Sequence, residues 1–155
     1  MFKMSERPPD DLAAMLIERD EVQVMFLRAR DELEETRRGW ERLEELVGLR
    51  GRKFFGAFDA SLREYRVCVQ AREDDDPTAL GLESGTLPGG RYLRARLRGE
   101  PPEVYERIGP TFAALVKAAP PDETRPSIEF YRHRNEIDLV LPVAESPAAS
   151  HLATG

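Results

Sequence analysis

The chain has 155 residues, which fits one domain of the usual 100–200 or so rather than two. It is 41% hydrophobic, with one Trp, four Tyr and seven Phe, enough for a core without covalent staples. Charged residues make up 34%, but the signs are mixed and the net charge is −6, so the basic face of a generic polyanion binder is missing. A single cysteine excludes an internal disulfide, and two histidines distant from it leave no zinc ligand set of ordinary spacing. Apolar runs fall far short of the roughly 20 residues that a membrane helix needs. The start, Met1 to Pro9, has no apolar stretch of the signal-peptide kind. The expectation is a soluble, cytoplasmic chain with no metal, no cofactor, no direct nucleic-acid partner and no membrane partner.

Residues 1–11, with Pro8-Pro9, read as a loose arm. Leu12–Ile17 reads as a strand paired with the next one, a short helix begun at Asp10 or Asp11 being the alternative. Val22, Val24 and Phe26 alternate, which points to a strand. Residues 31–48 carry the clearest helical period: Leu33, Thr36, Trp40, Leu43, Leu46 and Val47 form one stripe, acids crowd the first turn, and Gly48 supplies the stop. Strands follow at Lys53–Phe58 and Tyr65–Gln70, then a polar, acidic loop over 72–85. Gly85–Arg98 reads as a strand pair bent at Pro88-Gly89-Gly90. Glu103–Ala119 is helical in character, kinked or restarted at Pro110. Ser127–Arg132 and Glu136–Leu141 form a hairpin turning at Arg134-Asn135. The tail from Ala144 is small, polar and expected to be disordered.

The element order thus repeats, with the best register aligning Arg28 with Arg96 and Arg30 with Arg98. A pseudo-two-fold α+β domain over 12–143 follows, with repeats at about 12–71 and 85–143 and a tail at 144–155.

Glu129 stands out as a lone acid in the apolar-aromatic strand Ile128-Glu129-Phe130-Tyr131. Buried, it would have a raised pKa and seek a cation or donor; solvated, it would face water or pair with Arg132 or Arg134. Tyr131, Phe58, Tyr92 and Trp40 supply either an aromatic box or ordinary core. Glu73-Asp74-Asp75-Asp76 lacks the Gly and terminal Glu of a calcium loop and reads as solvated. Arg94, Arg96 and Arg98 share one strand face, offset by nearby acids, and Cys68 reads as a structural thiol. No phosphate-loop, dinucleotide or nucleophile-elbow motif is present, so no enzyme motif is visible.

Leu87-Pro88-Gly89-Gly90-Arg91-Tyr92, Leu97-Arg98-Gly99, Ile128-Glu129-Phe130-Tyr131 and Val140-Leu141-Pro142-Val143 together resemble the GyrI-like family, and Gly56-Ala57-Phe58-Asp59 matches it more loosely in the first half. These are effector-binding domains of bacterial transcription activators and their stand-alone relatives. The resemblance implies a duplicated βαββ fold whose antiparallel sheets enclose a central groove for hydrophobic, often cationic, small molecules, as in multidrug binding. It implies that Glu129 anchors the ligand, with Tyr131, Phe58, Tyr92 and Trp40 around it. Two departures stand against it: Pro110 interrupts a helix usually unbroken, and Arg132-His133-Arg134-Asn135 replaces the usual Asn/Asp-Asp-Pro. The arginines, if they flank the groove mouth, would weaken a preference for cations. With no helix-turn-helix before residue 12, a regulatory role would need a separate protein partner. The expected function is sensing or sequestration of a small molecule. The alternatives are a hydrolase of strained electrophilic rings using Glu129 and Tyr131 as catalytic pair, or an interaction module acting on a DNA-processing enzyme through an exposed apolar patch.

Overall fold

A computed structural model describes residues 13–144. The arm (1–11) and the tail beyond its first residue lie outside the described residues. The elements are β1 (Met15–Arg19), β2 (Val22–Arg30), α1 (Leu33–Val47), β3 (Phe54–Asp59), β4 (Glu64–Gln70), α2 (Pro77–Leu80), β5 (Glu83–Leu87), β6 (Gly90–Arg98), α3 (Glu103–Glu106), α4 (Ile108–Ala118), β7 (Ser127–His133) and β8 (Glu136–Pro142). The expected α+β architecture is present, and the strand expected at the start of the chain is β1, which pairs with β6 rather than with β2.

All eight strands join one curled antiparallel sheet in the order β1-β6-β8-β7-β3-β4-β2-β5. Each repeat lends its first strand to the other half. β1 pairs with β6, and β5 pairs with β2. The repeats meet where β3 pairs with β7. One row across the sheet runs Leu27, Val67, Gly56, Glu129, Leu139, Ala95. Leu27 and Ala95 sit at the same step of their nine-residue strands, so the pseudo-two-fold passes between Gly56 and Glu129.

Strand alternation separates two faces. On one, α1 packs over β2 and β4, and α4 over β6 and β8, leaving the β3–β7 strip between them as the floor of a groove. Leu43 buries α1 against Met25, Val67 and Val69, and Leu115 buries α4 against Ile137 and Leu139. Truncating either leucine to Ala would cost about 2–5 kcal/mol. The opposite, open face holds a third cluster that includes Phe26, Phe55, Cys68, Tyr92 and Ile128.

The Pro-Gly-Gly bend has a steric cause. A Cβ on Gly89 would lie 2.8 Å from the Arg19 carbonyl and 2.8 Å from the Glu21 nitrogen, because the β1–β2 and β5–β6 turns press together. The Tyr92 hydroxyl donates to the Pro88 carbonyl at 2.5 Å and locks the bend. The second helix breaks at Arg107 rather than at Pro110, which falls in the first turn of α4, where its missing N–H has no intrahelical partner to lose. The acidic stretch is more structured than a loop: the Asp76 side chain accepts from Ala79 N and caps α2, and Asp75 takes a two-pronged contact from Arg52 at 2.7 and 2.8 Å.

Candidate functional site

Glu129 occupies the centre of the groove floor. Its position on β7 and the two-residue period put it on the helix face with Tyr131, and the β3–β7 register lays Phe54, Gly56 and Phe58 beside them. Glu129 Oε1 accepts two hydrogen bonds, from Tyr65 Oη at 2.5 Å and from Tyr131 Oη at 2.6 Å. Oε2 accepts none among the described residues. Gly56 makes the arrangement possible, since a Cβ there would stand 1.9 Å from Tyr65 Oη and 2.6 Å from Glu129 Oε1.

Two helices, α1 and α3, bring aromatic side chains to this cluster. Trp40, from α1, meets Tyr131 edge-on at 5.2 Å, Phe54 at 6.2 Å and Tyr65 at 6.5 Å. Tyr105, from α3, reaches Tyr131 at 6.5 Å. Phe58 packs against the same cluster. Burial raises the pKa of Glu129, partly opposed by the two tyrosine hydrogen bonds, while the charge of Asp31 adds to the rise. Burial and the neighbouring carboxylate push both tyrosines well above the ordinary phenol value, so they stay neutral donors. An acid with one oxygen saturated and the other open, walled by ring faces and edges, can hold a cation or donate and accept a proton.

The structure therefore brings together Glu129, Tyr131, Trp40 and Phe58. Tyr92 lies apart: it is fully buried on the open face, with the Arg125 guanidinium 4.8 Å from its ring centre. Tyr65 and Tyr105 are not named as site residues from sequence, and Gly56 enters there only as part of the Gly56-Ala57-Phe58-Asp59 match. Tyr65 alternates with Val67 and Val69 like any strand residue, and its partner is 64 positions away.

The expected arginine-flanked mouth is corrected. Arg132 follows Tyr131 directly and so points to the other face, where it binds Glu136 at 2.9 Å and lies over the Phe130 ring. Arg134 is exposed in the turn and pairs with Glu100 at 3.4 Å. On the Arg94-Arg96-Arg98 face, Arg96 pairs with Asp138 at 2.6 Å and Arg98 with Glu136 at 3.2 Å, whereas Arg94 joins no ion pair among the described residues. The Cys68 thiol is buried and pushed up to about 12, an inert side chain. No group of three or more metal-binding side chains occurs among the described residues, nor any helix long and apolar enough to cross a membrane.

No family model matches the chain, and no curated protein matches it. Solved structures do. An integron cassette protein from the mobile metagenome of Vibrio cholerae is 16% identical with a TM-score of 0.66, over 84% of this chain and 95% of that one. SAV2435 bound to tetraphenylphosphonium is 11% identical with a TM-score of 0.60, over 93% and 100%. A hydrolase from Listeria innocua is 10% identical with a TM-score of 0.55, over 92% and 97%. At these identities the likeness is one of fold, and the fold is GyrI-like.

Proposed function

We propose that the chain is a GyrI-like binding protein that senses or sequesters an aromatic, cationic small molecule, with Glu129 as anchor and Trp40, Tyr131, Tyr105 and Phe58 as walls. The observation that carries this is the asymmetry of the carboxylate: Tyr65 and Tyr131 both bond Oε1, which leaves Oε2 to receive a positive group. Ring quadrupoles around it add attraction for the same charge. Because Arg132 and Arg134 are engaged with Glu136 and Glu100, neither opposes a cation at the groove. SAV2435, of the same fold, holds tetraphenylphosphonium, which makes that compound a suitable probe.

The test is a thermal-shift series with tetraphenylphosphonium, since a ligand that binds the native state raises the melting temperature by mass action. The wild type should be stabilised and Glu129→Gln should not. The charge-assisted contact is worth about 1.5–3 kcal/mol, so Glu129→Gln should weaken binding roughly tenfold or more. Equal stabilisation of both proteins would remove Glu129 from the site.

A second reading is favoured by the 2.6 Å contact between Tyr131 Oη and Glu129 and by the raised acid. Glu129 would act as general acid or base toward a strained electrophilic ring and Tyr131 would orient it. Incubation with an aryl epoxide separates the two: turnover abolished by Glu129→Gln supports a hydrolase, and absence of turnover with binding intact leaves the binding protein.

A further inference from the structure

The arginine ladder of β6 lies on the open face, opposite the Glu129 site, and the binding function leaves it unused. Strand alternation places Arg19 of β1, Arg94, Arg96 and Arg98 of β6, and Arg132 of β7 on that face. The acids that these strands and β8 set beside them are Glu136 and Asp138. Five positive groups thus stand against two negative ones. The other half of the same face is even, with Arg28, Arg30 and Arg66 beside Asp59, Glu64 and Glu83.

Three of the five arginines share the two acids. Asp138 takes Arg96 at 2.6 Å and Arg132 at 3.8 Å, while Glu136 takes Arg132 at 2.9 Å, Arg98 at 3.2 Å and Arg96 at 3.5 Å. Arg19 and Arg94 join no ion pair among the described residues. Glu18, next to Arg19 in the chain, points to the helix face and pairs with Arg91 at 3.6 Å. Asp20 and Glu21, in the turn after β1, join no ion pair among the described residues either. Arg94 is also short of acceptors: its Nε is buried with no hydrogen-bond partner, and its Nη2 meets the Met15 sulfur, a weak acceptor, at 2.9 Å. Buried donors are almost always satisfied, so an unsatisfied guanidinium within a positive excess calls for an acceptor from outside the chain. The Arg19 head lies close by. Its guanidinium carbon is 5.7 Å from the Phe130 ring centre. The path across the ladder from Arg19 to Phe130 passes Tyr92 and Val140, the neighbours of Arg94 on its own strand face and on β8. Phe130 itself stacks on Phe55 at 4.8 Å, so an incoming group meets the guanidiniums rather than a free ring face.

We infer that Arg19 and Arg94 form an anion site on the open face, independent of the cation site at Glu129, and that it takes a phosphate group. Planar guanidiniums bind phosphate through paired, charge-assisted hydrogen bonds, which would supply the acceptors that Arg94 lacks. Without the anion, the unsatisfied Arg94 donors cost the fold stability, and removing them should restore it.

The experiment is calorimetric titration of the full chain with pyrophosphate and with ATP at low salt, alongside thermal melts without ligand. The wild type should bind both. Arg94→Met, which keeps the aliphatic stem and removes the donors, should bind about tenfold more weakly or worse and melt about 2–4 °C higher. Arg19→Gln should weaken both probes about threefold to tenfold, and it carries the test if Arg94→Met does not fold. Arg134→Gln makes the same change of charge at the exposed turn and should stay within about twofold of the wild type. Tighter binding of ATP than of pyrophosphate would support a nucleotide as the source of the phosphate, and equal binding would support the phosphate group alone; both keep the site. No binding of either probe, or losses in Arg19→Gln and Arg94→Met no larger than in Arg134→Gln, would overturn it. An Arg94→Met protein that melts lower and binds as the wild type does would overturn it as well.

Discussion

The two halves of the sheet place different residues at one equivalent position. Gly56 in the first half and Glu129 in the second face each other across the pseudo-two-fold, and one is a hole while the other is an anchor. The first half supplies the space and the Tyr65 hydroxyl; the second supplies the carboxylate and the Tyr131 hydroxyl. A symmetric scaffold thus becomes an asymmetric site by one substitution of volume for charge. Two like acids here would repel, and two glycines would offer nothing to a ligand. The halves also share a bracing device. Arg52 binds Asp75 in the first, and Arg125 binds Asp122 in the second. Both aspartates are held down at about 2 from an ordinary 3.8, with side-chain hydrogen bonds as the first cause: from Arg52 in one case, from Thr124 and then Arg125 in the other.

The largest effect expected from breaking this pairing is on stability. The side chains of Arg52 and Asp75 are 7% and 10% exposed, against 15% and 26% for Arg125 and Asp122. Arg52→Ala strands a buried carboxylate and should cost about 3 kcal/mol, whereas Asp122→Asn should cost about 1 kcal/mol, both read from urea unfolding. Equal costs would mean that the halves are braced alike. The pH dependence has a definite sign. Depressed acids stabilise the fold fully above about pH 3.8, and that contribution is lost as pH falls through about 2. Glu129 acts oppositely: with its pKa raised, it withdraws stability as pH rises past the ordinary 4.5. Urea melts of wild type and Glu129→Gln across the acid range should therefore diverge above about pH 4.5 and share the loss at the acid end.

Next in size is Gly56→Ala, which tests the hole directly. The added methyl collides with Tyr65 Oη and Glu129 Oε1, so about 1–3 kcal/mol of stability should go, with loss of tetraphenylphosphonium binding. Tyr65→Phe removes the hydroxyl and should restore part of the stability of Gly56→Ala without restoring binding. The smallest effect concerns the rim. Arg132→Ala with Arg134→Ala should leave cation affinity unchanged at both low and high salt, because those side chains belong to the open face and the exposed turn. Tighter cation binding by the double variant at low salt would return the arginines to the mouth.

Much of this was legible in the sequence because it is local. The stripe of α1 and the Arg134-Asn135 turn rest on spacing within one element, and the alignment of Arg28 with Arg96 on the same short pattern recurring in two strands. Glu129 was conspicuous as an acid among aromatics. What escaped depends on distant chain segments. Tyr65 reaches Glu129 only because β3 and β7 meet, and a glycine signals a hole only once its neighbours are known. The exchange of β1 and β5 between halves leaves no local trace. Arg132 is different: its alternation with Tyr131 already assigns it to the other face, and proximity in sequence to the hairpin end was a poorer guide than strand period. Tyr92 shows the same lesson from the motif side, since its place in the Leu-Pro-Gly-Gly-Arg-Tyr run is fixed by the contact of two turns and by its hydrogen bond to the Pro88 carbonyl, on the face opposite Glu129.

The central claim, that Glu129 receives a positive group, is tested most directly by proton release on binding. Titrating tetraphenylphosphonium at mildly acidic pH, in two buffers of different ionisation enthalpy, measures the protons exchanged per ligand bound. A cation at Oε2 favours the carboxylate, so the wild type should release protons and bind more tightly as pH rises, while Glu129→Gln should do neither. Binding with no proton release and the same affinity in both proteins would contradict the account.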